Sequence, residues 1–200
     1  MNDMHITFSD ALRFLFIGLL PFFLLYVCEK NFVVSLLKDI GIIGISLCAL
    51  LIGSIFYFVY KGTFYLYFVM RLQDAFRRSS DNYRTYLKKQ YVVDYRQAYN
   101  LWLQVKHAEF KDLILPLAKE ASGIHLLYMS GIITAAFALW QFIISKGILA
   151  GLMAAFTLVF WISAFLLDRF LEDFEFRLLL SIEEKKLDTY VEKSGIKKRE

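Results

Sequence analysis

The sequence predicts an all-α membrane protein with four transmembrane helices and both termini on the cytosolic side. Three observations predict it. Four long runs carry no Asp, Glu, Lys or Arg: Phe14–Cys28, Ile40–Tyr60, Ala121–Ser145 and Gly147–Leu167, of 15, 21, 25 and 21 residues. About 20 apolar residues, each rising 1.5 Å, cross the roughly 30 Å hydrocarbon core of a bilayer. The composition is 58% hydrophobic and 18% aromatic, beyond what a soluble domain of 200 residues carries. The third observation is charge. With the N-terminus inside, 20 Lys and Arg residues fall on the cytosolic segments and three on the external ones, a strong positive-inside bias.

The chain reads as a single membrane domain, residues 1–200, with spans at about 11–28, 40–60, 121–145 and 147–167. A cytosolic helical insertion occupies 61–120, and a C-terminal cytosolic helix with a tail occupies 168–200. The first span is short. Ala11 and Leu12 lengthen it through Arg13, whose head can snorkel to the headgroups. Asp3 and Asp10 spoil the basic leader of a signal peptide and no small-x-small cleavage site follows, so a retained span is expected. Cys28 and Cys48 lie in or beside spans, without metal-ligand spacing, and are expected to be packing residues.

The second span continues after Lys61 in another uncharged stretch, Gly62–Met70, so its helix is expected to run on into the cytosol. Tyr57, Tyr60, Tyr65 and Tyr67 have the pattern of an interfacial aromatic belt. From Arg71 to Lys119 the composition is mixed-charge, without glycine, which favours helices. The break Ser79–Asn82 offers caps for a helix over Tyr83–Lys111, and Pro116 is expected to mark the turn into the third span. Beyond the fourth span, Leu167, Leu171, Phe174, Leu178 and Ile182 form one apolar helical stripe, suited to the membrane surface, the central helices or a second copy.

Two patterns could carry function. The central segment interleaves Arg84, Lys88, Lys89, Arg96 and Lys106 with Tyr91, Tyr95, Tyr99 and Trp102, the four rings recurring every three or four residues. Cations for phosphate and flat rings for bases suit a nucleotide or oligonucleotide. The alternative is that the rings pack on a neighbouring helix while the cations touch anionic lipid. The third span carries Ser130, Thr134, Ala138, Gln141 and Ser145 at spacings of 4, 4, 3 and 4. Ser130, Thr134, Gln141 and Ser145 would line a pore shared between subunits, or else pack against neighbouring helices.

Ala49 with Gly53, and Gly147 with Gly151 and Ala155, follow small-xxx-small spacing, which fits self-association and internal packing equally. His125, just inside the third span, is read as an interfacial histidine rather than a gate. No enzyme activity, metal or cofactor is expected. The three histidines are far apart, no His-Glu-x-x-His, phosphate loop or nucleophile elbow occurs, and the spans hold no carboxylate. The acidic cluster Asp168, Glu172, Asp173 and Glu175 reads as a solvated face partly paired with Arg169 and Arg177.

In length, topology and its basic aromatic cytosolic segment, the whole chain resembles the small four-span membrane effectors of bacterial anti-phage systems, such as the membrane components of Hailong and Kiwa. The resemblance implies a homo-oligomer, plausibly a tetramer, that conducts ions or perturbs the inner membrane under a cytosolic signal. A Hailong-like signal would be an oligonucleotide on the Arg84–Lys106 face; a Kiwa-like one would be a soluble protein docking there. The leading expectation is thus a gated channel or depolarising effector. Its alternative is a non-conducting scaffold that recruits a cytosolic partner.

Overall fold

The computed structural model describes residues 8–63, 83–144 and 146–198. Seven helices are defined there: α1 (Phe8–Cys28), α2 (Lys30–Val59), α3 (Tyr83–Gln90), α4 (Tyr95–Glu109), α5 (Lys111–Ile143), α6 (Gly147–Leu180) and α7 (Glu184–Lys193). No strand occurs among the described residues; the one bridge joins Tyr91 to Lys198. Four helices are long and apolar enough to cross a membrane: Ala11–Cys28, Lys30–Thr63, Lys111–Ile143 and Gly147–Leu180. Ile42, Leu51, Phe142, Ile148 and Val159 are exposed on them, an apolar surface of the kind a lipid environment accepts.

Helix boundaries differ from the sequence expectation at four places. Lys30–Asp39, expected as loop, is helical, and the break falls at Gly41, whose φ of 67° is open to a residue without Cβ. Pro116 lies inside α5 rather than at a turn. It removes one amide bond, to the carbonyl of Asp112, near the helix start where that exposed residue can turn to water. The Tyr83–Lys111 helix is split at Tyr91–Asp94. The fourth helix stops at Leu180, and a turn separates it from α7. The expected cytosolic run of the second span beyond Thr63, the Ser79–Asn82 caps, Tyr65, Tyr67 and Ser145 lie outside the described residues.

The chain divides into two compact units, the first formed by residues up to 72 and His125–Ala164. Here α1 and α2 cross with their backbones nearly touching. A Cβ built on Gly18 would lie 1.6 Å from the Ala49 carbonyl oxygen, and one on Gly53 would lie 1.8 Å from that of Phe14. Only glycine fits. At one end Phe14 meets Tyr57, ring centres 5.2 Å apart. At the other, the Lys146 ammonium bonds Glu29 at 3.2 Å and the Cys28 carbonyl at 3.4 Å, joining the two short connections. Tyr60 is not a lipid-facing belt residue. It is buried, and its hydroxyl lies 3.2 Å from His125 Nδ1, where α2 gives way to a wider π-type turn over 60–63.

The second unit, Gln73–Ile124 with Phe165–Glu200, has its own core. Tyr83, Leu87, Tyr91, Val93, Leu101, Trp102, Val105, Leu179, Leu187 and Val191 are buried together. Leu178 and Ile182 pack against it, so the lower part of the apolar stripe serves the central helices, while Leu167 and Phe174 stay exposed. The chain end is tied down too. After Ser194 caps α7, Gly195 takes φ 66° and donates to the Glu192 carbonyl, and Ile196 donates to that of Val191. This paired turn is a Schellman stop. It delivers Lys197, whose carbonyl accepts from the Val92 amide at 2.8 Å.

Candidate functional site

The central segment owes its geometry to a cap. Asp94 accepts from the Gln97 amide at 2.7 Å while the Gln97 side chain accepts from the Asp94 amide at 2.9 Å, a reciprocal capping box that starts α4. Upstream, Val92 and Val93 are β-branched, poor helix formers, and the Val93 amide donates to the Tyr91 carbonyl at 3.0 Å in a tight turn before it. The spacing Asp-x-x-Gln was the available sequence signal for this break. As a result Tyr91 does not share a helix face with Tyr95, Tyr99 and Trp102.

Each predicted ligand residue has a distinct place. Tyr91 is 0% exposed and its hydroxyl donates to Asp188 at 2.8 Å. Trp102 is 1% exposed, with its indole N–H donating to Glu175 at 3.2 Å and its ring 5.5 Å from that of Tyr83. Neither ring has a face left for a base. Arg84 stacks over Tyr83 and lies 3.9 Å from Glu172; Lys106 donates to Glu175 at 2.9 Å. Glu172 and Glu175 of α6 thus reach the central helices. Lys88 and Lys89, in the last turn of α3, are exposed, and so are Tyr99 and Val92. The side chains of Tyr95 and Arg96 lie outside the described residues.

Electrostatics follow these partners. Burial pushes the Tyr83 and Tyr91 hydroxyls well above the ordinary phenol range, and the Asp188 bond adds to the shift at Tyr91. Glu109 accepts from Lys186 and from Tyr190, which hold its carboxyl below the ordinary value and raise the Lys186 ammonium in return. Asp188 is lowered in the same way by Tyr91 and Lys198. These ties fasten α7 to α4 and to the Tyr91 segment. Among the described residues, no three His, Cys, Asp or Glu side chains converge as a metal site.

In the first unit the polar row of α5 points inward. Ser130, Thr134 and Gln141 are all buried within the single chain. Thr134 donates to the Ser130 carbonyl at 2.9 Å and accepts from Thr157 of α6 at 3.0 Å. Neither amide atom of Gln141 has a hydrogen-bond partner, nor does the buried indole nitrogen of Trp161. The sequence pattern does not single out Thr157 and Trp161, because one hydroxyl and one indole in an apolar run give no periodic signal. Comparison with known proteins yields no matching family, no matching curated protein and no matching solved structure.

Proposed function

We propose that the chain is a multi-pass protein of the cytoplasmic membrane, both termini inside, that presents a rigid helical module to a cytosolic protein partner. The 20-to-3 division of Lys and Arg supports the orientation. One observation carries the docking reading: two of the four rings, Tyr91 and Trp102, are spent on a core. With Tyr91 and Trp102 buried and Arg84 and Lys106 engaged by Glu172 and Glu175, two rings and two cations of the predicted ligand face are withdrawn from any base or phosphate. Lys88, Lys89, Val92 and Tyr99 are among the residues that stay on the surface. Two cations beside an aliphatic and an aromatic side chain suit an acidic, partly apolar protein surface. A photo-crosslinking residue at Val92 or Tyr99 should capture one discrete protein in cells. Lys88→Glu with Lys89→Glu should abolish the adduct. No adduct from either position, or an adduct indifferent to the charge reversal, would overturn the assignment.

A second reading, a homo-oligomeric gated channel like the anti-phage effectors, is favoured by the outer face of α6. Gly147 and Gly151 have nothing within 4 Å of a built Cβ, and Ala155 beside them is exposed. Helices of two copies can approach closely there. A shared pore would require α5 to turn Ser130, Thr134 and Gln141 out of its own bundle. The mass of the protein in nanodiscs separates the readings: a discrete oligomer with bound nucleic acid supports the channel, and a monomer removes it.

A further inference from the structure

Polar atoms buried inside a membrane bundle need partners, because no bulk water reaches them and each unmade bond is expensive. Most polar side chains in the α5–α6 seam obey this rule. Thr134 and Thr157 spend their hydroxyls on each other and on backbone carbonyls one turn back. Gln141 does not. It is 0% exposed, and neither its carbonyl oxygen nor its NH₂ is hydrogen-bonded. Trp161 repeats the exception. Its indole nitrogen is buried without a partner, and its ring edge sits so close to α5 that a Cβ on Gly131 would lie 2.2 Å from that nitrogen. The missing side chain at Gly131 is what admits the indole to the seam. Gln141 and Trp161 thus leave three buried atoms unpartnered in the first unit, two donor groups and one acceptor, with the Trp161 indole against α5 at Gly131.

We propose that the first unit of the single chain holds internal waters, one set bound at the Gln141 carboxamide of α5 and one at the Trp161 indole N–H of α6. The ligand class follows from the groups. An amide presents an acceptor beside donors, and only a small neutral molecule that both donates and accepts satisfies it at once. A hard cation would need several converging oxygens. Gln141 brings one, and the nearby threonine hydroxyls are committed. A second copy cannot supply the partner either, because Gln141 is already enclosed by its own chain. The site stands independently of any cytosolic partner and of any oligomer.

The test is water-to-protein magnetisation transfer by NMR on the ¹⁵N-labelled protein in nanodiscs. Trp161→Phe and Gln141→Leu assign the two signals by their disappearance. Glutamine-selective and tryptophan-selective labelling serve if a variant fails to fold. The expected result is direct transfer from water to the Gln141 NH₂ and the Trp161 indole proton, with both exchanging in D₂O at least tenfold faster than the neighbouring α5 backbone amides. Absent transfer, with both signals surviving in D₂O as long as those amides, would overturn the proposal.

Discussion

Substituting alanine at Gly18 or Gly53 should pry α1 from α2. At Gly18 the new Cβ would stand 1.6 Å from a carbonyl oxygen that belongs to the backbone of Ala49. No rotamer can relieve that contact. An ordinary contact needs about 3.4 Å, so the helices must separate by about 1.8 Å, several times what a packed interface tolerates before losing much of its dispersion energy. Overpacking of this kind costs about 1–3 kcal/mol, and the value belongs at the upper end because backbone meets backbone. Alanine's better helix propensity returns up to about 1 kcal/mol, leaving a net loss of about 2 kcal/mol. Gly151 supplies the internal control, since a Cβ there meets nothing within 4 Å. Gly151→Ala should be neutral or stabilising by up to about 1 kcal/mol. Reversible unfolding in mixed micelles measures all three variants on one scale. Gly18→Ala and Gly53→Ala variants as stable as Gly151→Ala would refute the crossing described here.

Other expectations concern both units. Trp102→Ala should cost about 3–5 kcal/mol and expose the second unit to limited proteolysis, because a nearly fully buried indole is removed from the core. Thr157→Val should cost only about 0.6 kcal/mol, the usual worth of one hydrogen bond between membrane helices. Gly195→Ala should free the chain end by forcing a Cβ into φ 66°, at about 1 kcal/mol, read as faster cleavage after Glu192. Acid should loosen α7 first. Glu109 and Asp188 are depressed in the fold, so the unfolded chain binds their protons more readily. The stability they contribute is complete above about pH 5 and lost as pH falls through their lowered values. Glu109→Gln should flatten that acid limb of the melting-temperature profile.

How much of this was legible follows from the range of each signal. The four spans were, because uncharged length is a local property and a bilayer imposes it directly. Ala49 and Gly53 were found as a small-residue pair, yet their partner Gly18 was not, since contact across two helices leaves no trace in spacing. The central aromatics were read as one face because periodicity was carried through Tyr91–Asp94, where the Asp94–Gln97 box ends it. Arg84 and Lys106 looked available because their carboxylates, Glu172 and Glu175, come from a segment about 70 or more residues away in sequence. Local chemistry was readable, but the tertiary pairing that consumed it was not. The inward row of Ser130, Thr134 and Gln141 had the right spacing, and spacing alone leaves open whether a row faces its own chain or another.

Ion flux through purified protein in liposomes, with and without added oligonucleotides, bears most directly on the docking account. A module that buries Tyr91 and Trp102 in a core and encloses Ser130, Thr134 and Gln141 should leave the bilayer sealed in both conditions, with flux at the level of empty vesicles. Flux above that level, and above all flux that responds to an oligonucleotide and is lost on Lys88→Glu with Lys89→Glu, would contradict it.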